Sequence, residues 1–340
     1  MTLRSSVAAL LTLTVLSGPG SLAEAPADAP LAAPPKTIKI EVSPYMAWAP
    51  IHIAQAEGCF REAGLDVEYM TMRGDREGLP AVVQGRLDVL AGFIRPSYFN
   101  LIGRGANIRF VADKGHVEDE GCSYRAFLAR RELVESGALA SLDGIRGLRL
   151  SGEKTALSFY GTSHLLAKAG VLPEEVVLIH VPTAAKLDAF RTGAIDIANT
   201  SEPWVTRIIR AGDAVLWLPD HEVTPGFQHS FILFGPRLLE TDRDAGRKFM
   251  VGYLRGVRIY NQGKTDRNVR IVAEATGLDE ELVRATCWPP VRNSGEIDTA
   301  SMSEYQQWAF EQGLIDSVIP VERFWDPSFI EHANHVLRGE

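Results

Sequence analysis

Residues 43–69 read SPYMAWAPIHIAQAEGCFREAGLDVEY, and the parsing of this stretch decides the fold. Just before it, residues 37–42 (TIKIEV) alternate apolar and polar positions as a half-buried strand does. Pro50 suits the first turn of a helix reaching to about Cys59, because that turn has no N–H bond to lose. Gly64 then punctuates, and Leu65, Val67 and Tyr69 alternate as a second strand. A helix over 77–84, closed by Gly85, and a short strand over 87–92 complete the run.

The same order returns from Gly147. A strand over 148–150 leads through the polar loop SGEKTALS, 151–158, into a helix over 159–169. Gly170 punctuates, a strand covers 176–181, a helix over 184–191 ends at Gly193, and a strand covers 195–200. Ala63-Gly64-Leu65 answers Ala169-Gly170-Val171, and Gly85-Arg86-Leu87-Asp88-Val89 answers Gly193-Ala194-Ile195-Asp196-Ile197. A repeated strand–helix unit implies an α/β fold with parallel sheets and right-handed crossovers. Ligands on such sheets bind at the carboxyl ends of the strands. Two facing lobes would therefore put four loops around one cleft: 43–50 and 92–98 from the first, 151–158 and 199–204 from the second. Apolar stretches at 124–128 and 230–234 read as strands that cross between lobes. The expected lobes are 36–124 plus 229–340, and 125–228. A mostly helical tail (244–261, 268–276, 280–286, 299–312) packs back on the first.

Residues 1–23 carry one charge, Arg4, then an apolar run from Val7 to Leu16 and the small-residue end Ser21-Leu22-Ala23. That is the pattern of a secretory signal peptide, and the run is too short for a spanning helix of about 20 residues. The Pro/Ala-rich EAPADAPLAAPP, 24–35, reads as a flexible leader. No cysteine lies near the cleavage point, so a soluble exported protein of the periplasm is expected, with no lipid anchor. The formal charge of −8 without basic blocks argues against a nucleic-acid partner. Cys59, Cys122 and Cys287 have no metal or redox spacing; export permits a disulfide, but each reads as a buried, inert thiol.

Five segments, in order, resemble one family: residues 43–69 above, VVQGRLDVLAG (82–92), SLDGIRGLRLSGEKTALSFY (141–160), FRTGAIDIANTSEPW (190–204) and ATGLDEELVRATCW (275–288). The chain resembles the nitrate/sulfonate/taurine-type substrate-binding proteins of ABC transporters, a group that includes thiamine-pyrimidine-precursor binders. The resemblance spans about residues 36–333. It implies a type II periplasmic-binding-protein fold with two lobes, a hinge and a cleft. It also implies a small-molecule ligand bound by hinge closure, and a permease partner in the inner membrane. A monomer is expected, with no cofactor and no metal.

The loops supply the candidate contacts. Tyr45 and Trp48 are placed to stack on a flat or apolar ligand, or else to cap the core. Phe93, Arg95 and Ser97 form the next loop. There Arg95 suits a carboxylate, sulfonate or phosphate through its planar fork, or a structural ion pair. Thr155 and Ser158 precede a helix, where hydroxyls either receive an anionic group or cap the helix. Tyr160 follows on that helix. Glu202 and Trp204 close the fourth loop, with Glu202 placed to accept from a ligand amine, serve the hinge or cap a helix. Asp88 and Asp196 follow turns at matching positions and read as structural. Five aromatics around the cleft favour an organic body over a bare inorganic anion.

Two other functions stay open at this level. Pyrimidine synthases and desulfinases share the scaffold. The synthases carry a histidine in the first loop, where this chain has Trp48, and a cysteine-rich motif. The desulfinases carry a cleft cysteine, where this chain begins Ser43-Pro44. An exported sensor would need the same closure around a ligand as an importer component.

Overall fold

The computed structural model describes residues 35–72, 75–152 and 157–339. The signal sequence expected over 1–23, the leader up to residue 34, and Thr155 lie outside the described residues.

Among the described residues, strands form two five-stranded sheets. The first repeat, the first half of the duplication, supplies β1 (Lys36–Val42), β2 (Leu65–Thr71), β3 (Val89–Phe93), β4 (Arg109–His116) and β5 (Arg125–Arg130). The second supplies β6 (Arg149–Ser151), β7 (Val177–Ile179), β8 (Ile197–Ser201), β9 (Ala214–Pro219) and β10 (Gln228–Phe234). The sheet orders are β2-β1-β3-β10-β4 and β7-β6-β8-β5-β9. β1 runs parallel to β2 and β3, and β6 parallel to β7 and β8. β10 and β5 run antiparallel to both of their neighbours.

The repeat is thus five strands long rather than three, and each half gives its fifth strand to the other's sheet. β5 inserts between β8 and β9, and β10 between β3 and β4. Both inserted strands are central and covered on both faces. That is why they read as near-continuous apolar runs, whereas β1 alternates.

The matched punctuation has a backbone cause. Gly64 and Gly170 sit at φ 77° and 62°, and Gly85 and Gly193 at 70° and 66°, a region that side chains disfavour. The matched aspartates have the same role in each sheet. An Asp88 carboxylate oxygen accepts the Lys39 N–H of β1 at 2.8 Å, and one of Asp196 accepts the Arg149 N–H of β6 at 2.8 Å. Arg237 and Arg130 complete the two sites at 3.0 and 3.1 Å.

The helix Arg243–Tyr260 packs against Ala49–Ala56, which follows the first loop, and against Ser328–Arg338. Gly256 permits the first contact: a Cβ there would lie 2.4 Å from the Ala54 Cβ and 2.8 Å from the Pro50 carbonyl. The chain end around His332 and His335, beyond the helices expected from sequence, is a further helix with Phe329 and Ala333 fully buried. The cysteine reading also needs correction. Cys122, in the crossing after β4, is disulfide-bonded to Cys287, 165 residues later, and only Cys59 is a free buried thiol. Among the described residues no helix is long and apolar enough to cross a membrane.

Candidate functional site

β1 delivers the first wall. After Val42 the chain turns through Ser43 into a single helical turn, Met46–Trp48, before Pro50 opens the next helix. Trp48 is almost wholly buried, and its ring meets Phe93, at the end of β3, edge-on at 5.5 Å. Tyr45 tilts against Trp48 at 6.0 Å. The Lys114 ammonium stands 3.7 Å from the centre of the Trp48 ring, a cation–π contact that fixes the indole from behind. The Ser43 hydroxyl donates to a carboxylate oxygen of Glu41 at 2.6 Å. Arg95 follows β3 in extended backbone just before the helix Pro96–Gly103.

The second wall is polar. Asn199, Thr200 and Ser201 end β8, Arg125 opens β5, Leu157 and Ser158 open the helix Leu157–Ala169, and Lys186 opens the helix Lys186–Arg191. Arg125 is buried and already committed. Its Nε donates to Asp220 at 3.0 Å and its Nη2 to the Asn199 side-chain oxygen, while Asn199 Nδ2 donates to Asp220 at 2.8 Å. Lys186 donates from Nζ to the Asn199 main-chain carbonyl at 2.7 Å. Burial, and secondarily the nearby Arg125 charge, lower the Lys186 pKa to about 7.

These residues enclose a cavity of about 240 Å³. Tyr45, Trp48, Phe93, Arg95 and Ser158 line it, with Thr183 and the residues of the second wall. Other residues expected from sequence lie elsewhere. Ser97 is exposed in the first turn of the helix Pro96–Gly103. Tyr160 lies on the far side of its helix, packed on Phe227, Tyr305 and Trp308 at ring separations of 4.4, 5.2 and 5.0 Å. Trp204 packs on the cluster under the second sheet, with the Arg207 guanidinium 5.1 Å from its ring, so it does not face Trp48 across the cavity. The Glu202 carboxylate is buried and accepts from the Thr206 N–H at 3.0 Å, the Thr206 hydroxyl at 2.8 Å and the Cys287 N–H at 3.1 Å. Of its three sequence readings, the helix cap is the one with partners; the bond from Cys287 adds a tie to the tail that the sequence reading did not include, and burial raises its pKa. Where the fourth loop was expected to offer Glu202 and Trp204, β8 instead presents the three residues just before them.

Arg125 and Lys186 carry sequence signals that pattern reading passed over. A lone arginine heads an otherwise apolar strand at 125–129, and a lysine sits in the first turn of a helix, where a positive charge opposes the helix dipole. Both placements are unfavourable without a compensating role.

Chains of known structure share this architecture. The periplasmic aliphatic sulphonate binding protein SsuA of Escherichia coli superposes with a TM-score of 0.70 at 14% identity, covering 86% of this chain and 98% of that one. The periplasmic nitrate-binding protein NrtA of Synechocystis PCC 6803 gives 0.69 at 14% identity, covering 90% of both chains. The desulfurization enzyme DszB gives 0.63 at 11% identity, covering 89% and 100%. At such identities these likenesses establish the fold alone. No curated protein matches the sequence. The family model described as NMT1/THI5 like matches residues 46–262, well over half of the 340 residues, including the first loop from Met46 onward and the second-wall strands. The chain therefore belongs to the NMT1/THI5-like family.

Proposed function

We propose that this protein is the solute-binding component of an ABC importer. It captures a small organic acid, a sulfonate or carboxylate, between its two sheets in the periplasm and presents it to a permease in the inner membrane. The observation that carries the reading is a cavity lined from both halves of the duplicated fold, at the carboxyl ends of β1, β3 and β8. A solute touching both walls favours whichever arrangement brings them within reach at once, which is the physical basis of hinge closure. Tyr45, Trp48 and Phe93 offer flat apolar surface for an organic body, and basic side chains outnumber acidic ones in the lining. The aliphatic sulphonate named for one protein of the same fold supports this class, and the nitrate named for another supports only an anionic group.

A protein of this fold is also a desulfurization enzyme, so turnover in the cavity is the alternative to capture. No cysteine or histidine lines the cavity among the described residues, which favours capture without chemistry. The test is a thermal-shift screen of sulfonates, carboxylates and pyrimidines, followed by analysis of the bound compound after incubation. Specific binding raises the melting temperature. The reading expects a shift with organic acids and recovery of the compound unchanged. A shift with pyrimidines alone reassigns the ligand, and conversion of the compound replaces capture with catalysis.

A further inference from the structure

We propose that the acidic group of the solute is held by the second half of the molecule, at the Lys186 ammonium, and that capture draws a proton onto this amine. The inference rests on the solute-binding reading above.

Lys186 is only 4% exposed, yet it lines the cavity. Its ammonium has three donors, and one is used, on the Asn199 carbonyl. Asn199 is itself held by its place opposite Phe127 in the β5–β8 ladder. Among the described residues Lys186 has no carboxylate partner. Arg125 next to it does, because Asp220 takes the guanidinium at 3.0 Å from behind. A buried cation without a counter-charge is costly, and the fold offers two ways to relieve it: loss of the proton, or arrival of an anion. A sulfonate or carboxylate at the two unused donors supplies the second. Its organic body then lies toward Tyr45, Trp48 and Phe93 on the opposite wall, so the two walls divide the ligand into charged and apolar ends.

The charged groups around Lys186 come from several elements. Arg125 faces it from β5, backed by Asp220 after β9; Glu41 of β1 and Arg95 after β3 line the opposite side of the cavity. His180 is exposed in the preceding loop, and Asp188 pairs with Arg191 on the lysine's own helix, both exposed. Burial and Arg125 hold the free amine's pKa at about 7, whereas a bound anion raises it. Affinity is therefore flat below pH 7. Above it, affinity falls by up to about tenfold per pH unit until the amine of the complex also loses its proton.

The protein and its Lys186→Met variant are titrated calorimetrically with benzenesulfonate, hexanesulfonate, hexanoate and the uncharged hexanamide from pH 6 to 9. At pH 7.5 the titrations are repeated in two buffers of different ionisation enthalpy. The expected result has four parts: an acid binds the wild type, hexanamide binds at least tenfold more weakly, affinity declines above pH 7, and the buffer pair reports proton uptake. Lys186→Met then loses at least tenfold in affinity together with the pH dependence, and its melting temperature at pH 7 is no lower, since it loses an uncompensated buried charge. Should that variant not fold, the wild-type pH profile and buffer pair still decide. An acid that binds with no proton uptake, or equally to the variant, or no better than hexanamide, overturns the anchor and leaves solute capture standing. Binding by none of the four overturns the organic-acid reading and the anchor with it.

Discussion

His52 illustrates how single residues near the first wall carry stability rather than binding. It sits inside the helix Ala49–Ala56, against the Tyr69 ring at 5.5 Å, and burial lowers its pKa to about 4. The unfolded chain takes up this proton near pH 6.5, while the folded protein refuses it until about 4. Stability from this group is thus complete above pH 6.5 and is lost as pH falls toward 4, by roughly 3 kcal/mol in all. Urea unfolding at pH 7 and pH 4.5 should show the loss, and His52→Gln should flatten it. At Glu202 the expectation is also structural. Glu202→Ala strips acceptors from the buried Cys287 N–H and from Thr206, and should cost roughly 2–4 kcal/mol in unfolding free energy. A variant that unfolds like the wild type but loses ligand binding would return Glu202 to the site. At this scale the sequence was partly readable. Aromatics at a strand's end marked Tyr45, Trp48 and Phe93 as residues that would line the cavity, because a loop position and a residue type together indicate that placement. Lys186 and Arg125 become visible only once β5, β8 and the helix Lys186–Arg191 are brought side by side, since neither has its partners nearby in the chain.

Two contacts between elements hold the first wall and the crossing. The helix Ala49–Ala56 approaches Arg243–Tyr260 closely enough that even a methyl group at Gly256 meets backbone. Gly256→Ala should therefore destabilise the protein by roughly 1–3 kcal/mol. It should also shift Trp48 fluorescence, since the displaced helix carries the aromatic turn. An unchanged spectrum and melting temperature would mean that the helices are not so close. The Cys122–Cys287 bond ties the β4–β5 crossing to the tail across 165 residues of chain. Constraining so long a loop in the unfolded state stabilises the fold by about 2–4 kcal/mol, so dithiothreitol should lower the melting temperature by several degrees. Cys122→Ser should reproduce that drop and be insensitive to the reductant. Neither contact was readable in the sequence. A disulfide pairing is a statement about distance, and three widely spaced cysteines give no distances. The helix Ser328–Arg338 escaped for a related reason: its buried Phe329 and Ala333 make sense only against Arg243–Tyr260.

Over the whole molecule the duplication was legible and its completion was not. Gly64 with Gly170, Gly85 with Gly193, and Asp88 with Asp196 recur because each repeat needs the same turn and the same N–H acceptor at the same register. The exchange of β5 and β10 leaves no such local mark, only two apolar runs, yet it passes the chain twice between the sheets and brings their carboxyl ends to one cavity. On the proposed function, a solute bridges both walls of that cavity. The most direct measurement is calorimetric titration of the tightest-binding acid into the wild type, Tyr45→Ala from the first wall and Lys186→Met from the second, with small-angle scattering of the saturated wild type. Bridging requires at least a tenfold loss in each variant and a smaller radius of gyration on saturation. An acid that binds both variants as tightly as the wild type, with the radius unchanged, would contradict it.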